Sequence, residues 1–333
     1  MNESQEKLKI VIHLGYPRTG TTLLQDKIFS ENDKLNYLGP KSNIKEFKIK
    51  ISRADLSKLT YLHTFSEIYN DKIDYVEVEK IINKSLFSKE KVNIISCETY
   101  LSYKKFYELE CYALIYKYLV KNFGNVDLIF LYTIRDQYHL MKSHFFRSFG
   151  VLSKFLDVKN FKEFIGNFEK RSSYKTSNFF KFVRIYDFNY VYDSLKFHFP
   201  EAKIKILTYE DLNNNLHRFV KILSELLNLE EKILLDLLST EKKLNQLRIK
   251  DKVIYYESKL QTLISPPNSA KKNYIISVLK KLFPNFLKKK INSMLYSRHE
   301  VNLVQEAKER KVVANYYKRS NQKFSYKLKK LNN

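Results

Sequence analysis

The chain has 333 residues, 44% of them hydrophobic, which allows a sizeable core and excludes wholesale disorder. It carries 60 Lys and Arg against 36 Asp and Glu, a formal net charge of +24, and 23 of the basic but only 6 of the acidic residues fall in 241–333. A basic third of this kind suits nucleic acid, an anionic membrane surface or an anionic polymer, and equally a solvated surface in a lysine-rich chain. Cys97 and Cys111 have no metal-ligand spacing and give no disulfide framework. The polar start, MNESQEKLK, lacks a signal-peptide core, and no apolar run approaches about 18 residues. A reducing cytoplasm is the expected compartment.

The first predicted element is a buried strand through Ile10, Val11, Ile12 and Leu14. A loop follows, Gly15-Tyr16-Pro17-Arg18-Thr19-Gly20, and Thr21-Thr22 opens a helical pattern through Leu23, Leu24 and Ile28. Strand, glycine-containing loop and helix start make an anion site, because first-turn N–H groups have no partner within the helix and the helix dipole adds positive potential. The chain has only 6 Gly, and two of them sit in this loop, where the backbone needs room that a Cβ would take.

Further along, Tyr37–Pro40 reads as a turn, 43–70 as mixed and lysine-rich, and Asp74 to Leu86 as a helix. VNIIS, residues 92–96, reads as a second strand that delivers Cys97, Glu98 and Thr99 at its carboxyl end. A helix is expected over Lys104–Asn122, capped by Gly124. DLIFLYTIRD, 127–136, is a near-continuous apolar strand, followed by a helix to about Phe149 and further helices to Pro200. KIKILTYEDL, 203–212, is a fourth strand, followed by a helix from Asp211 to Leu227. Beyond Thr240 the pattern is helical, with a loop at Ile264–Ser269. Strands alternating with helices predict a parallel sheet whose carboxyl ends gather Gly15–Thr22, Glu98, Arg135 and Glu210.

GYPRTGTT begins like a nucleotide P-loop but has Thr21 where that pattern requires Lys. The basic residue lies inside the loop instead, at Arg18. The stretch resembles the phosphosulfate-binding loop of sulfotransferases, above all the bacterial carbohydrate-type members. His13, Gly15, Arg18, Thr19, Gly20, Thr21, Thr22 and Gln25 fill the positions of their motif, with Arg for the commoner Lys. Arg135 and Ser143, eight residues apart, resemble the family's site for the nucleotide 3′-phosphate, a planar fork of donors with a helix-borne hydroxyl. Tyr209-Glu210-Asp211-Leu212 is similar to a family tetrapeptide at the fourth strand's end, with a structural role and Asp211 near the next helix's N-cap. Leu244-Asn245-Gln246 and Tyr316–Asn321 are softer echoes.

The resemblance implies an α/β fold: a P-loop-like parallel sheet of about four to five strands flanked by helices, with a basic helical C-terminal region. The division read from the sequence is 1–247 for the core and 248–333 for an extension or cap. It also implies 3′-phosphoadenosine-5′-phosphosulfate (PAPS) as donor, 3′,5′-adenosine bisphosphate (PAP) as product, a saccharide or glycan hydroxyl as acceptor, and no required metal. Arg18, Thr19, Gly20, Thr21, Thr22, Arg135 and Ser143 would bind the donor, with Arg18 also stabilising the leaving oxygen. Glu98 is the candidate base, with His13 and His139 as weaker ones. Residues 270–296 form a basic amphipathic pattern, interrupted at Pro284, that suits either an anionic inner membrane face or packing on protein. Two other classes stay open. An ATP-dependent P-loop kinase conflicts with the missing lysine. A basic nucleic-acid-binding protein explains the charge but not the loop, and no familiar nucleic-acid motif accompanies it.

Overall fold

The computed structural model describes residues 7–16, 18–38, 86–96, 109–170, 177–239, 249–250, 253–259 and 294–332. The expectations for 43–70, for the helix before Leu86, for Glu98, for Leu244–Gln246 and for nearly all of 270–296 lie outside these residues. The chain forms two compact units: residues 1–136, 184–244 and 320–333, and residues 137–183 and 245–319.

The first unit is built on a parallel five-stranded sheet, as the alternating elements predict. Its strands are β1 (Leu8–Gly15), β2 (Leu35–Tyr37), β3 (Val92–Ser96), β4 (Val126–Ile134) and β5 (Lys203–Thr208), in the order β2-β3-β1-β4-β5. From central β1 the chain goes out to one side and then returns to build the other. The carboxyl end of β1 is therefore where strand order reverses, the usual ligand crevice of open parallel sheets. Both faces are covered, which is why β1, β3 and β4 read as apolar runs, while the edge strand β5 alternates Lys with Ile. On one face Val11, Ile94, Ile129, Leu131 and Leu207 pack with Phe219, Leu223 and Leu227. On the other, Phe130 meets Phe199, ring centroids 5.0 Å apart. The three-residue β2 was not anticipated and ends at Tyr37, where the sequence places the start of a turn; it pairs with β3 through Leu35↔Val92 and Tyr37↔Ile94.

The helix after the loop starts as α1 (Thr21–Leu23) and continues as a π-helical stretch (Leu24–Phe29), closed by the Ser30 N–H donating to the Gln25 carbonyl at 3.1 Å. Beyond β3 lies α2 (Leu109–Phe123), and Gly124 follows it at φ +74°, as a helix-ending glycine does. The predicted helix 211–227 is two helices, α8 (Tyr209–Asn214) and α9 (Leu216–Leu227). Asn215 (φ −146°, ψ 65°) leaves helical space between them, and its carboxamide caps the second by accepting from the Arg218 N–H at 3.2 Å.

The second unit contains α3 (Gln137–Arg147), α4 (Phe149–Phe155) and α5 (Phe161–Glu169), and α6 (Ser177–Arg184) ends at its border. The first unit resumes with α7 (Phe188–His198) and, after β5, α8 (Tyr209–Asn214), α9 (Leu216–Leu227) and α10 (Glu231–Ser239). Phe145, Phe146, Phe161 and Phe164 form the second unit's aromatic core, with the rings of Tyr256 and His299 tilted against Phe146 at 4.9 Å. Residues beyond Thr240 are not all helical. β6 (Ile249–Lys250), β7 (Val253–Glu257) and β8 (Tyr296–Glu300) make a small antiparallel sheet. Val-Ile-Tyr-Tyr is β-branched and aromatic, with Ile254 1% and Tyr255 46% exposed, so a period of two overrides the helical reading there. The helical pattern read for this region is realised in α11 (Leu303–Asn332).

Candidate functional site

Three strand ends of the first unit meet at the loop. The first contribution is the loop itself. Arg18 has φ +80° and Gly20 φ +86°, while Thr19 between them does not share that sign. A non-glycine residue held in the left-handed region costs of order 1–3 kcal/mol and persists only where its surroundings over-determine it. Alternation of this kind turns successive N–H groups to one side, the concavity that takes anions. Thr19 is not itself a donor to that side. Its N–H (3.3 Å) and its hydroxyl (2.8 Å) both donate to the Tyr16 carbonyl, and its side chain is buried. Thr21 is buried as well, with its methyl carbon under Gly15. Thr22 and Arg18 are half-exposed.

The second contribution comes from β4. Arg135 lies just beyond it, and its guanidinium donates to the Arg18 carbonyl at 3.4 Å. The third comes from β5 and α8. The Tyr209 ring lies under the Arg135 guanidinium, 4.5 Å from its central carbon. The Glu210 carboxylate accepts the Asp136 N–H at 3.0 Å. Leu212 backs Gly20, 3.2 Å from where a Cβ would stand. The tetrapeptide 209–212 is thus the clamp that aims Arg135 at the loop, more than the structural role expected from the sequence. Thr208 is the N-cap of α8, accepting from the Asp211 N–H at 3.0 Å, and Asp211 holds Arg218 at 3.5 Å.

Beneath the loop runs a buried polar chain that the sequence does not advertise. His13 is fully buried. Its Nδ1 lies 2.7 Å from Ser96 Oγ and its Nε2 3.4 Å from Thr133 Oγ1. Gln25 Nε2 donates to Ser96 Oγ at 2.9 Å, and Thr133 Oγ1 lies 3.0 Å from Thr19 Oγ1. Burial pushes the His13 pKa down to about 3, so the ring is neutral and sits under the loop rather than facing a substrate. His13 is a packed positioning group here, one of the two roles its sequence suggests. Register explains the assembly: β1 aligns His13 with Ser96 of β3 and Gly15 with Thr133 of β4. Tyr16 anchors the loop on the other side. Its hydroxyl donates to the Ile185 carbonyl and lies 2.9 Å from the Tyr132 hydroxyl, and its ring stacks on Tyr186 at 5.6 Å. Burial raises both tyrosine pKa values, keeping the pair protonated.

Ser143 belongs to the second unit, buried on α3. On the same helix Lys142 donates to the Glu306 carboxylate at 2.9 Å, and His139 Nδ1 lies 3.8 Å from that carboxylate. His139 is therefore a partner of an acidic group on α11. Among the described residues no cluster of three or more His, Cys, Asp or Glu could hold a metal, and no helix is long and apolar enough to cross a membrane.

These features define the class: an α/β protein with a strand–loop–helix at the centre of a P-loop-like five-stranded parallel sheet. No family model matches the chain, and no curated protein matches it. Among solved structures, one that is similar is a sulfotransferase from Alicyclobacillus acidocaldarius, 9% identical, with a TM-score of 0.38 over 66% of this chain and 81% of that one.

Proposed function

We propose that the protein transfers a sulfuryl group from PAPS to a hydroxyl of a saccharide or glycan. The observation that carries this reading is the loop: a cradle with left-handed backbone at Arg18 and Gly20, opening a helix, with a second cation, Arg135, clamped beside it and no lysine at the nucleotide-kinase position. The donor set fits a phosphosulfate. The Gly20–Thr22 backbone and the Thr22 hydroxyl would hold it, and Thr19 would fix the loop's shape. Arg135, with Ser143 as its proposed companion, would take the 3′-phosphate. PAPS supplies an activated sulfur with PAP as leaving group. Arg18 cannot act as an acid, since its pKa lies above about 12, so its part is to stabilise negative charge on the departing oxygen. Glu98, two residues beyond β3 in sequence, would take the acceptor's proton. Residues 270–296 would give a peripheral contact with an anionic inner membrane face.

Ligand-dependent melting tests the reading. PAP at 100 times its Kd should stabilise the protein by about 2.7 kcal/mol. Stabilisation by ATP with Mg²⁺ instead of PAP would favour a kinase. Steeply salt-dependent nucleic-acid binding without any nucleotide effect would replace the enzyme reading altogether.

A further inference from the structure

We infer that Gln25, Ser96, His13, Thr133 and Thr19 form one unidirectional hydrogen-bond chain that sets the backbone of the anion loop, with His13 held as the Nε2–H tautomer. The inference deepens the function proposed above and rests on it only for the identity of the ligand.

The direction follows from the two ends. Gln25 Nε2 can only donate, and the Tyr16 carbonyl can only accept. Thr19 gives its one hydroxyl proton to Tyr16, so at 3.0 Å it must accept from Thr133. Thr133 has then used its proton and must accept from His13 Nε2. The ring nitrogen on that side therefore carries the hydrogen, and Nδ1 is an acceptor. Ser96 donates to Nδ1 at 2.7 Å and, from its other side, accepts from Gln25 at 2.9 Å. Every hydroxyl in the chain donates once and accepts once. Chains of this kind strengthen each link by polarisation.

What the chain joins is the functional point. It begins on the π-helical stretch after the loop, crosses β3, β1 and β4, and ends inside the loop at Tyr16. Its last member fixes the turn over which Arg18 adopts φ +80°. All five side chains are at most 8% exposed, so none touches a ligand. They are positioning residues that act through the loop backbone. The His13 ring is further located edge-on against Phe29 at 5.4 Å.

The test combines spectroscopy with one pair of variants. In protein labelled with ¹⁵N-histidine, the His13 signals, identified by their loss in His13→Gln, should show a protonated Nε2 and an unprotonated Nδ1 throughout pH 5–8. An Nδ1–H tautomer, or an imidazolium in that range, would overturn the chain. Thr133→Val keeps the shape but removes the relay hydroxyl. It should raise the Kd for PAP about tenfold in protein that remains folded, and Thr133→Ser should recover most of that loss. A Kd for Thr133→Val within about twofold of wild type would reduce the chain to packing. If Thr133→Val does not fold, the tautomer measurement on the wild-type protein still decides. Failure of the wild-type protein itself to bind PAP would refute the ligand and leave the tautomer result standing on its own.

Discussion

Replacing Gly15 by alanine tests the packing under the loop. The added Cβ would stand 2.0 Å from Thr21 Cγ2, 2.8 Å from Thr133 Oγ1 and 3.1 Å from His13 Nε2. Carbon atoms in contact sit about 3.5–4.0 Å apart, so Thr21 or the strand must yield by about 1.5 Å. Overpacking of that kind costs about 1–3 kcal/mol. Displacing Thr133 also breaks a link in a buried polar chain, which leaves a group unsatisfied at about 1–3 kcal/mol more. Gly15→Ala should therefore lose about 2–6 kcal/mol in equilibrium urea unfolding, a large share of the ~5–15 kcal/mol typical of a folded domain. Adding Thr21→Ser removes the closest atom and should return part of the loss, leaving the Thr133 contact. Gly124→Ala is the contrast. Nothing stands within 4 Å of its Cβ position, and only its φ of +74° resists, at about 1–2 kcal/mol. A loss below about 1 kcal/mol for Gly15→Ala would show that the loop tolerates a side chain there and that the close packing described is not a constraint.

Other outcomes follow from the same geometry. Arg18→Ala should cut turnover by about 10²–10³ while PAP affinity is largely kept; near-normal turnover would remove Arg18 from the mechanism. Arg135→Ala should weaken PAP more than an analogue lacking the 3′-phosphate, and equal losses in calorimetric titrations would refute that assignment. Glu98→Gln should leave PAP affinity nearly unchanged and lower kcat by about 10²–10⁴ at saturating acceptor; an unchanged kcat would defeat the base assignment. His13 and His144 are buried with pKa values of about 3 and about 4, below the 6.5 expected of an unfolded chain. The unfolded chain binds protons that the folded one refuses, so stability held above about pH 6.5 falls on acidification by up to about 1.4 kcal/mol per pH unit for each histidine. Unfolding curves at pH 7 and pH 5 measure this, and equal stabilities would contradict it.

The sheet was legible because β1, β3 and β4 are largely buried on both faces and therefore spelled in apolar runs, while the edge strand β5 alternates Lys203 and Lys205 with Ile204 and Ile206. The loop was legible because its chemistry is local: two glycines, an arginine and three threonines within eight positions. Ser96 and Thr133 were not, although each is a polar residue near the carboxyl end of an apolar strand. Their meaning arises only when β3 and β4, far apart in sequence, align on either side of β1. The pattern could have flagged them as polar residues at the mouth of a parallel sheet, but not joined them to His13. Tyr209 and Glu210 were seen as a motif, yet their grip on Arg135 and Asp136 depends on the pairing Ile134↔Thr208, which brings two strand ends level. β7 was missed because five residues of strand pattern lie within a lysine-rich stretch of helical character.

The packing of the end of α11, from Ser320 onward, within the first unit bears on the order of events during synthesis. Phe324 packs against Phe188 and Tyr192, Ser320 bonds the Asp187 carboxylate that caps α7, and Lys327 bridges Asn189 and Asp193. These partners are more than 130 residues apart. At about 5–20 residues per second, α7 leaves the ribosome roughly 7–26 s before the residues that cover it. For that interval the aromatic surface of Phe188 and Tyr192 waits without Phe324, so a need for chaperone protection during synthesis is expected there. The central sheet, by contrast, has all five of its strands in hand once Thr208 has been made.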